Sequence, residues 1–387
     1  MSNRDDLLKV LSGLKPDRIP YIADPFWNEK SIHKFVPENC YDENTFCLPS
    51  DDPPREGYSS EARTQASRET AVRMAQYLDM ATIGVGKGGV FTFGHGGPGE
   101  IQPVVIERTN DYKILKYEGG HKRKVNFNPL SISYFDFPVT EENDLKKLIL
   151  PAMKNPDRFI DVEMDSEFFK ESGFVPTASI QGFFSGVHNS FMSFEDTAIN
   201  LLLNPEFMKR LIKRLAQMSL DAVGMFLDRG VEIIDVCDDL GTPDGLLLSP
   251  ETFREFFLPW YEELVRIVHQ KGGYVHLHSH GNIARILPDL VSTGIDILNP
   301  LDWNENPNLL DIMKKHGKDI IICGGSVGDF YKRSLEEKEF IVNRACALGK
   351  IAEKGYIFGG ATVMECNSHE EWNVLQAIIA KARKEQL

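Results

Sequence analysis

From residue 174 onward one rhythm repeats along the chain. A short β-branched run is followed by a turn and then by a longer amphipathic stretch, the pattern of successive βαβ units in a parallel sheet. Six such runs fall at 175–180, 231–236, 274–279, 295–298, 319–323 and 356–358. Two more, at 19–23 and 80–85, bring the count to the eight strands that close an α/β (β/α)8 TIM barrel. The whole chain, 1–387, is then one elaborated barrel domain, a length ordinary for that fold. The rival is a doubly wound open sheet, which calls for a glycine-rich phosphate turn after an early strand. Gly84-Val85-Gly86-Lys87-Gly88-Gly89 matches one only in part.

Helix punctuation agrees with the barrel. Ser249-Pro250-Glu251 supplies a capping side chain, a first-turn proline and an acid, and predicts a helix running to about Gln270, where Gly272-Gly273 ends it. Between 86 and 140, paired glycines and alternating segments such as Tyr112-Lys113-Ile114-Leu115-Lys116-Tyr117 predict hairpins and loops, an N-terminal insertion over the barrel mouth. The polar stretch 43–63 reads as a solvated connection, with a lid as the alternative.

Composition narrows the function classes. A net charge of -14 with no basic stripe to offset it disfavours nucleic acid. No apolar run reaches the roughly 20 residues of a membrane span, and the N-terminus lacks secretory signal architecture. The expectation is a cytoplasmic protein, with a homodimer as a possible assembly. Six scattered cysteines (Cys40, Cys47, Cys237, Cys323, Cys346, Cys366) suggest free thiols rather than a disulfide framework, and Cys237 and Cys323, in apolar runs, are expected to be buried and inert.

In a barrel, reactive groups gather at the C-terminal strand ends. The fifth strand is the most informative, because His276, His278 and His280 recur at every second residue and share one face. Imidazole is the commonest metal ligand, and an H-x-H pair directs two rings at one ion. His276, deeper along the strand, is expected in the core. A further ligand has to come from elsewhere: Asp238 or Asp239 after the fourth strand, or Glu365 or Cys366 after the eighth. Asp239 is alternatively a general base or a partner that orients a histidine, while one of the two acids can instead cap a helix. Asp24, Phe26 and Trp27 follow the first strand, where the aromatic rings are placed to stack on a flat substrate or to fill the core.

Several segments together, Asp17-Arg18-Ile19-Pro20, 249–256 with Pro259, His278-Ser279-His280-Gly281-Asn282, 294–300 and Gly324-Gly325, resemble the uroporphyrinogen decarboxylase superfamily over most of the chain. The resemblance implies a β/α-barrel and one of two chemistries: decarboxylation of a tetrapyrrole without cofactor, or zinc-dependent methyl transfer to or from a corrinoid carried by a separate corrinoid-binding protein. The decarboxylases carry an early Arg-Gln-Ala-Gly-Arg segment that holds substrate carboxylates; the corresponding stretch here, 23–29, has no arginine. Their eighth-strand histidine is matched here by Thr362.

The thiol-methylating methyltransferases of the superfamily use a His-x-Cys pair and a later cysteine. Here the pair is His278-x-His280, and Cys366 lies a few residues beyond the expected place. Nitrogen and oxygen ligands leave zinc a harder Lewis acid than thiolates do, better matched to an oxygen leaving group. The resemblance thus implies a corrinoid-dependent methyltransferase acting on a small methyl donor such as an aryl methyl ether. Its zinc ligands would come from His278, His280, Asp239, Glu365 and Cys366, with Asp239 and His280 serving the chemistry. The alternative is a decarboxylase of a small acidic substrate.

Overall fold

The computed structural model describes residues 3–23, 35–40, 64–86, 91–92, 97–101, 103–128, 130–360, 366 and 368–385. Eight parallel strands carry the fold: β1 (Tyr21–Ala23), β2 (Thr82–Gly84), β3 (Val175–Gln181), β4 (Ile233–Cys237), β5 (Tyr274–His278), β6 (Ile297–Asn299), β7 (Ile321–Cys323) and β8 (Tyr356–Gly360). From β2 to β8 each pairs with the next in sequence, and β8 pairs with β1. The last gap, between β1 and β2, is bridged by the Ala81 amide donating to the Tyr21 carbonyl at 2.8 Å. The result is a (β/α)8 barrel, and all eight predicted runs fall on its strands.

Alternation along the strands sorts their side chains. Ile234, Val236, Val275, Leu277, Leu298 and Ile322 join the large apolar cluster formed with the surrounding helices. Val175, Ile233, Ile297, Ile321 and Ile357 instead meet one another inside the barrel. The helix Asn3–Leu11 closes the lower end, inserting Leu7, Val10 and Leu11 into that inner cluster. Leu7 is 0% exposed and Val10 1%, burial worth about 1.5–3 kcal/mol for each side chain. Arg4 secures the plug with a two-pronged ion pair to Glu232, at 2.8 and 2.9 Å. The lower end of the barrel interior is thus filled.

The predicted helix after Ser249 is two helices, Pro250–Phe256 and Leu258–Gln270. Ser249 caps the first, accepting from the Thr252 amide at 3.1 Å. Pro259, near the start of the second, has no amide hydrogen to continue the ladder, so the axis breaks at Phe257. The insertion carries the hairpins expected of it. Its strands Val104–Arg108, Tyr112–Lys116, Lys122–Phe127 and Leu130–Phe135 form an antiparallel meander. Glu118 ties this sheet to Arg158 at 2.7 Å, just ahead of the helix Ile160–Glu171. Among the described residues, no helix is long and apolar enough to cross a membrane.

Candidate active site at the barrel mouth

The register across β3, β4, β5 and β6 stacks two polar levels on the inner face. The upper level aligns Gln181 with Cys237, Cys237 with His278 and His278 with Asn299; the lower aligns Ser179 with Asp235 and Asp235 with His276. The parity that sends Ile233 and Tyr274 to the inner cluster sends these residues to the barrel axis as well.

His278 is held by Asn299. The Asn299 amide nitrogen donates to the Cys323 carbonyl at 3.2 Å and faces its sulfur at 3.5 Å, which turns the amide oxygen toward the imidazole. That oxygen lies 2.6 Å from His278 Nδ1. An amide oxygen only accepts, so Nδ1 carries the hydrogen and the ring lone pair sits on Nε2. His280 is held by Glu305, whose carboxylate lies 3.1 and 3.3 Å from Nδ1 and also accepts from the Gly281 amide at 2.8 Å. Burial pushes Glu305 up, but the His280 and Gly281 donors outweigh it and hold the carboxyl below its ordinary value.

The two rings meet edge to face with centroids 5.0 Å apart. Gly281 makes this loop possible: its φ is +90°, and a Cβ there would fall 2.2 Å from the Gly241 carbonyl carbon.

The adjacent acids divide their roles. Asp238 is fully buried and caps the helix Phe183–Ser190, accepting from the Phe184 and Ser185 amides at 3.0 and 2.7 Å and from the Ser185 hydroxyl at 2.6 Å. Tyr261 adds a fourth donor at 2.5 Å. Burial pushes the Asp238 carboxyl up against the pull of these donors. Asp239 is exposed at the mouth and accepts from the His280 backbone amide at 2.9 Å, so it positions the histidine loop. Nearby His188 is driven down to about 4 by burial, against the opposing charge of Asp239.

His276 is buried as expected, yet it belongs to the lower polar level. Its Nδ1 lies 2.7 Å from Asp235, whose other oxygen accepts from Ser179 at 3.3 Å. Burial alone would lower His276, but Asp235 and the adjacent Cys323 raise it to about 10.

Among the described residues, no three His, Cys, Asp or Glu side chains converge as a metal site; His278 and His280 are a pair. Cys366 packs against the core with Lys338 and Glu371 as its charged neighbours, and burial pushes its thiol up to about 11. Asp24, Phe26, Trp27 and Glu365 lie outside the described residues. Sequence reading missed Glu305, which sits in an irregular loop without periodic signal. Asp235 was legible in principle, as the polar member of an alternating Ile233-x-Asp235-x-Cys237 face beside the histidine strand.

The uroporphyrinogen decarboxylase (URO-D) family profile matches residues 123–371, well over half the chain. No curated protein sequence matches the chain. Among solved structures, a methyltransferase from Methanosarcina mazei superposes with a TM-score of 0.63 at 14% identity, covering 100% of this chain and 99% of that one. A D-psicose 3-epimerase from Clostridium cellulolyticum H10 reaches a TM-score of only 0.38 at 11% identity, over 59% of this chain and 82% of its own.

Proposed function

The chain belongs to the uroporphyrinogen decarboxylase family, and within it we propose that the protein is a corrinoid-dependent methyltransferase that takes the methyl group from a small methyl ether. The observation that carries this reading is the pair of barrel-mouth imidazoles, His278 and His280, each with Nδ1 engaged by a dedicated partner, Asn299 and Glu305. Such partners fix the tautomer and ring orientation of metal-ligating histidines, and a carboxylate on the far nitrogen raises ligand basicity. The donor set fits zinc at two positions, and Glu365, next to Cys366, is the further ligand we propose. Zinc held there would supply electrophilic stabilisation to a leaving oxygen.

The chain's own residues do the rest. Asn299 and Glu305 orient the two imidazoles, and Asp239 holds the His280 backbone. Phe26 and Trp27 are proposed to flank an aryl ring. The reaction breaks the methyl–oxygen bond and delivers the methyl to the reduced cobalt of a corrinoid borne by a separate binding protein. The alkoxide or phenoxide left behind takes up a proton. The architecture shared along the full length with the Methanosarcina mazei methyltransferase supports a scaffold suited to this work.

The test combines metal analysis with turnover. Protein purified without chelator is expected to hold about one zinc per chain, lost in His278→Ala and in His280→Ala, and to convert cob(I)alamin to methylcobalamin with methoxybenzene derivatives as donors. Absence of zinc or of methyl transfer overturns the reading.

A further inference from the structure

Barrel interiors of this fold are ordinarily filled by layers of branched apolar side chains. Here that filling stops low in the barrel. Above it stands a carboxylate, Asp235, in the middle of a strand paired on both sides. Its side chain is nevertheless 17% exposed. The N-terminal helix closes the lower end, and the carboxylate stands one register level below His278 on the inner face.

The carboxylate is also pre-oriented. His276 engages one oxygen at 2.7 Å and Ser179 the other at a longer 3.3 Å. A carboxylate has roughly four lone-pair sites, so these two partners leave acceptor capacity on the axis side. We propose that Asp235 is a ligand-binding group, held in place by His276 and Ser179, which accepts a hydrogen bond from a hydroxyl or amine on the substrate.

Charge decides the class. None of the eight barrel strands contains a lysine or arginine. Whether His276 is neutral or protonated, its pair with Asp235 carries at most zero net charge. A carboxylate or phosphate placed at this depth meets Asp235 with no strand lysine or arginine to offset it, whereas a hydroxyl or ammonium gains a strong acceptor. His278 lies two residues further up the strand from His276, about 6.6 Å away at strand rise. One aromatic ring spans that distance, with a donor at one end and the reacting group at the other.

The choice of methoxy probes rests on the methyl-transfer reading; the acceptor site does not. The purified full-length protein is titrated calorimetrically with 4-methoxyphenol, 4-methoxybenzylamine, methoxybenzene and 4-methoxybenzoate. The hydroxyl or amine probe, or both, should bind about tenfold more tightly than methoxybenzene, and the benzoate most weakly. Asp235→Asn, which keeps the shape, should remove most of that advantage; Asp235→Leu should abolish it.

The wild-type ranking needs no variant, so a misfolded mutant leaves the test intact. Binding of the benzoate as tight as that of the donors, no preference for a donor, no binding of any probe, or a preference retained in folded Asp235→Asn and Asp235→Leu each overturns the proposal. Donor-selective binding without methyl transfer sinks only the methyltransferase reading, and methyl transfer without donor selectivity sinks only this one.

Discussion

Replacing Asp238 by asparagine changes one atom at a buried acceptor that serves four donors. Each Asp238 oxygen serves one backbone amide and one hydroxyl: Ser185 N and Ser185 Oγ on the first, Phe184 N and Tyr261 OH on the second. The amide group of asparagine has to replace one of these oxygens. A hydroxyl can turn to accept from it, but a backbone amide cannot, so one buried N–H is left facing a donor. That costs about 1–3 kcal/mol, and exchanging a charged for a neutral acceptor on the remaining bonds adds about 1 more. Asp238→Asn is therefore expected to lose about 2–4 kcal/mol in urea denaturation followed by circular dichroism, a large part of the ~5–15 kcal/mol typical of a domain. Tyr261→Phe, which removes one donor and strands none, should lose about 1–2 kcal/mol. A loss below about 0.5 kcal/mol for Asp238→Asn, or a larger loss for Tyr261→Phe, refutes the assignment of Asp238 as the structural acceptor.

Three more expectations follow from the same geometry. Glu305→Gln and Asn299→Leu, which weaken or remove the partners of His280 and His278, should each lower zinc affinity about 10–100-fold in a chelator competition while the circular dichroism spectrum is retained; unchanged affinity would show that these contacts do not orient ligands. His188 is neutral in the folded chain down to about pH 4, whereas the unfolded chain protonates it near its ordinary 6.5. The unfolded state thus binds more protons between those values, so stability falls as pH falls from 6.5 to 4, by at most about 3 kcal/mol from this residue. His188→Gln should flatten that slope in urea titrations across the window, and an identical slope argues against a buried neutral ring. Gly281→Ala forces a side chain into the left-handed region and against Gly241, and its melting temperature should drop by several degrees, with weaker zinc binding than wild type.

The barrel was legible because its strands advertise themselves twice, by β-branched composition and by spacing. The histidine alternation at 276, 278 and 280 was legible for the same reason, since a period of two survives any uncertainty in strand ends. What escaped depends on contacts between distant segments. Asp238 and Asp239 are neighbours in sequence, yet one points into a helix terminus contributed by the loop after β3 and the other toward the His280 amide. Nothing local separates two adjacent aspartates. Glu305 reaches His280 across 25 positions from an aperiodic loop. His276 reads as a core residue by depth, and it is buried, but its role depends on Asp235 on the next strand, a pairing that only register reveals.

The polar residues are not spread evenly around the barrel. Ser179, Gln181, Asp235, His276, His278 and Asn299 all stand on β3 to β6, each with a hydrogen-bond partner. The inward positions of β7 and β8 carry Ile321, Cys323, Ile357 and Gly359, and a Cβ on Gly359 would collide with the Ile22 carbonyl at 2.0 Å, so that wall is both apolar and tightly packed. Burying a polar wall costs free energy unless its groups are paired, and here each of the six has a partner. A ligand held here then faces acceptors and imidazoles on one side and hydrocarbon on the other. A flat ring with a donor at its deep end and an ether oxygen near His278 satisfies both walls at once, whereas a polycarboxylate would set its charges against Asp235 or against isoleucine.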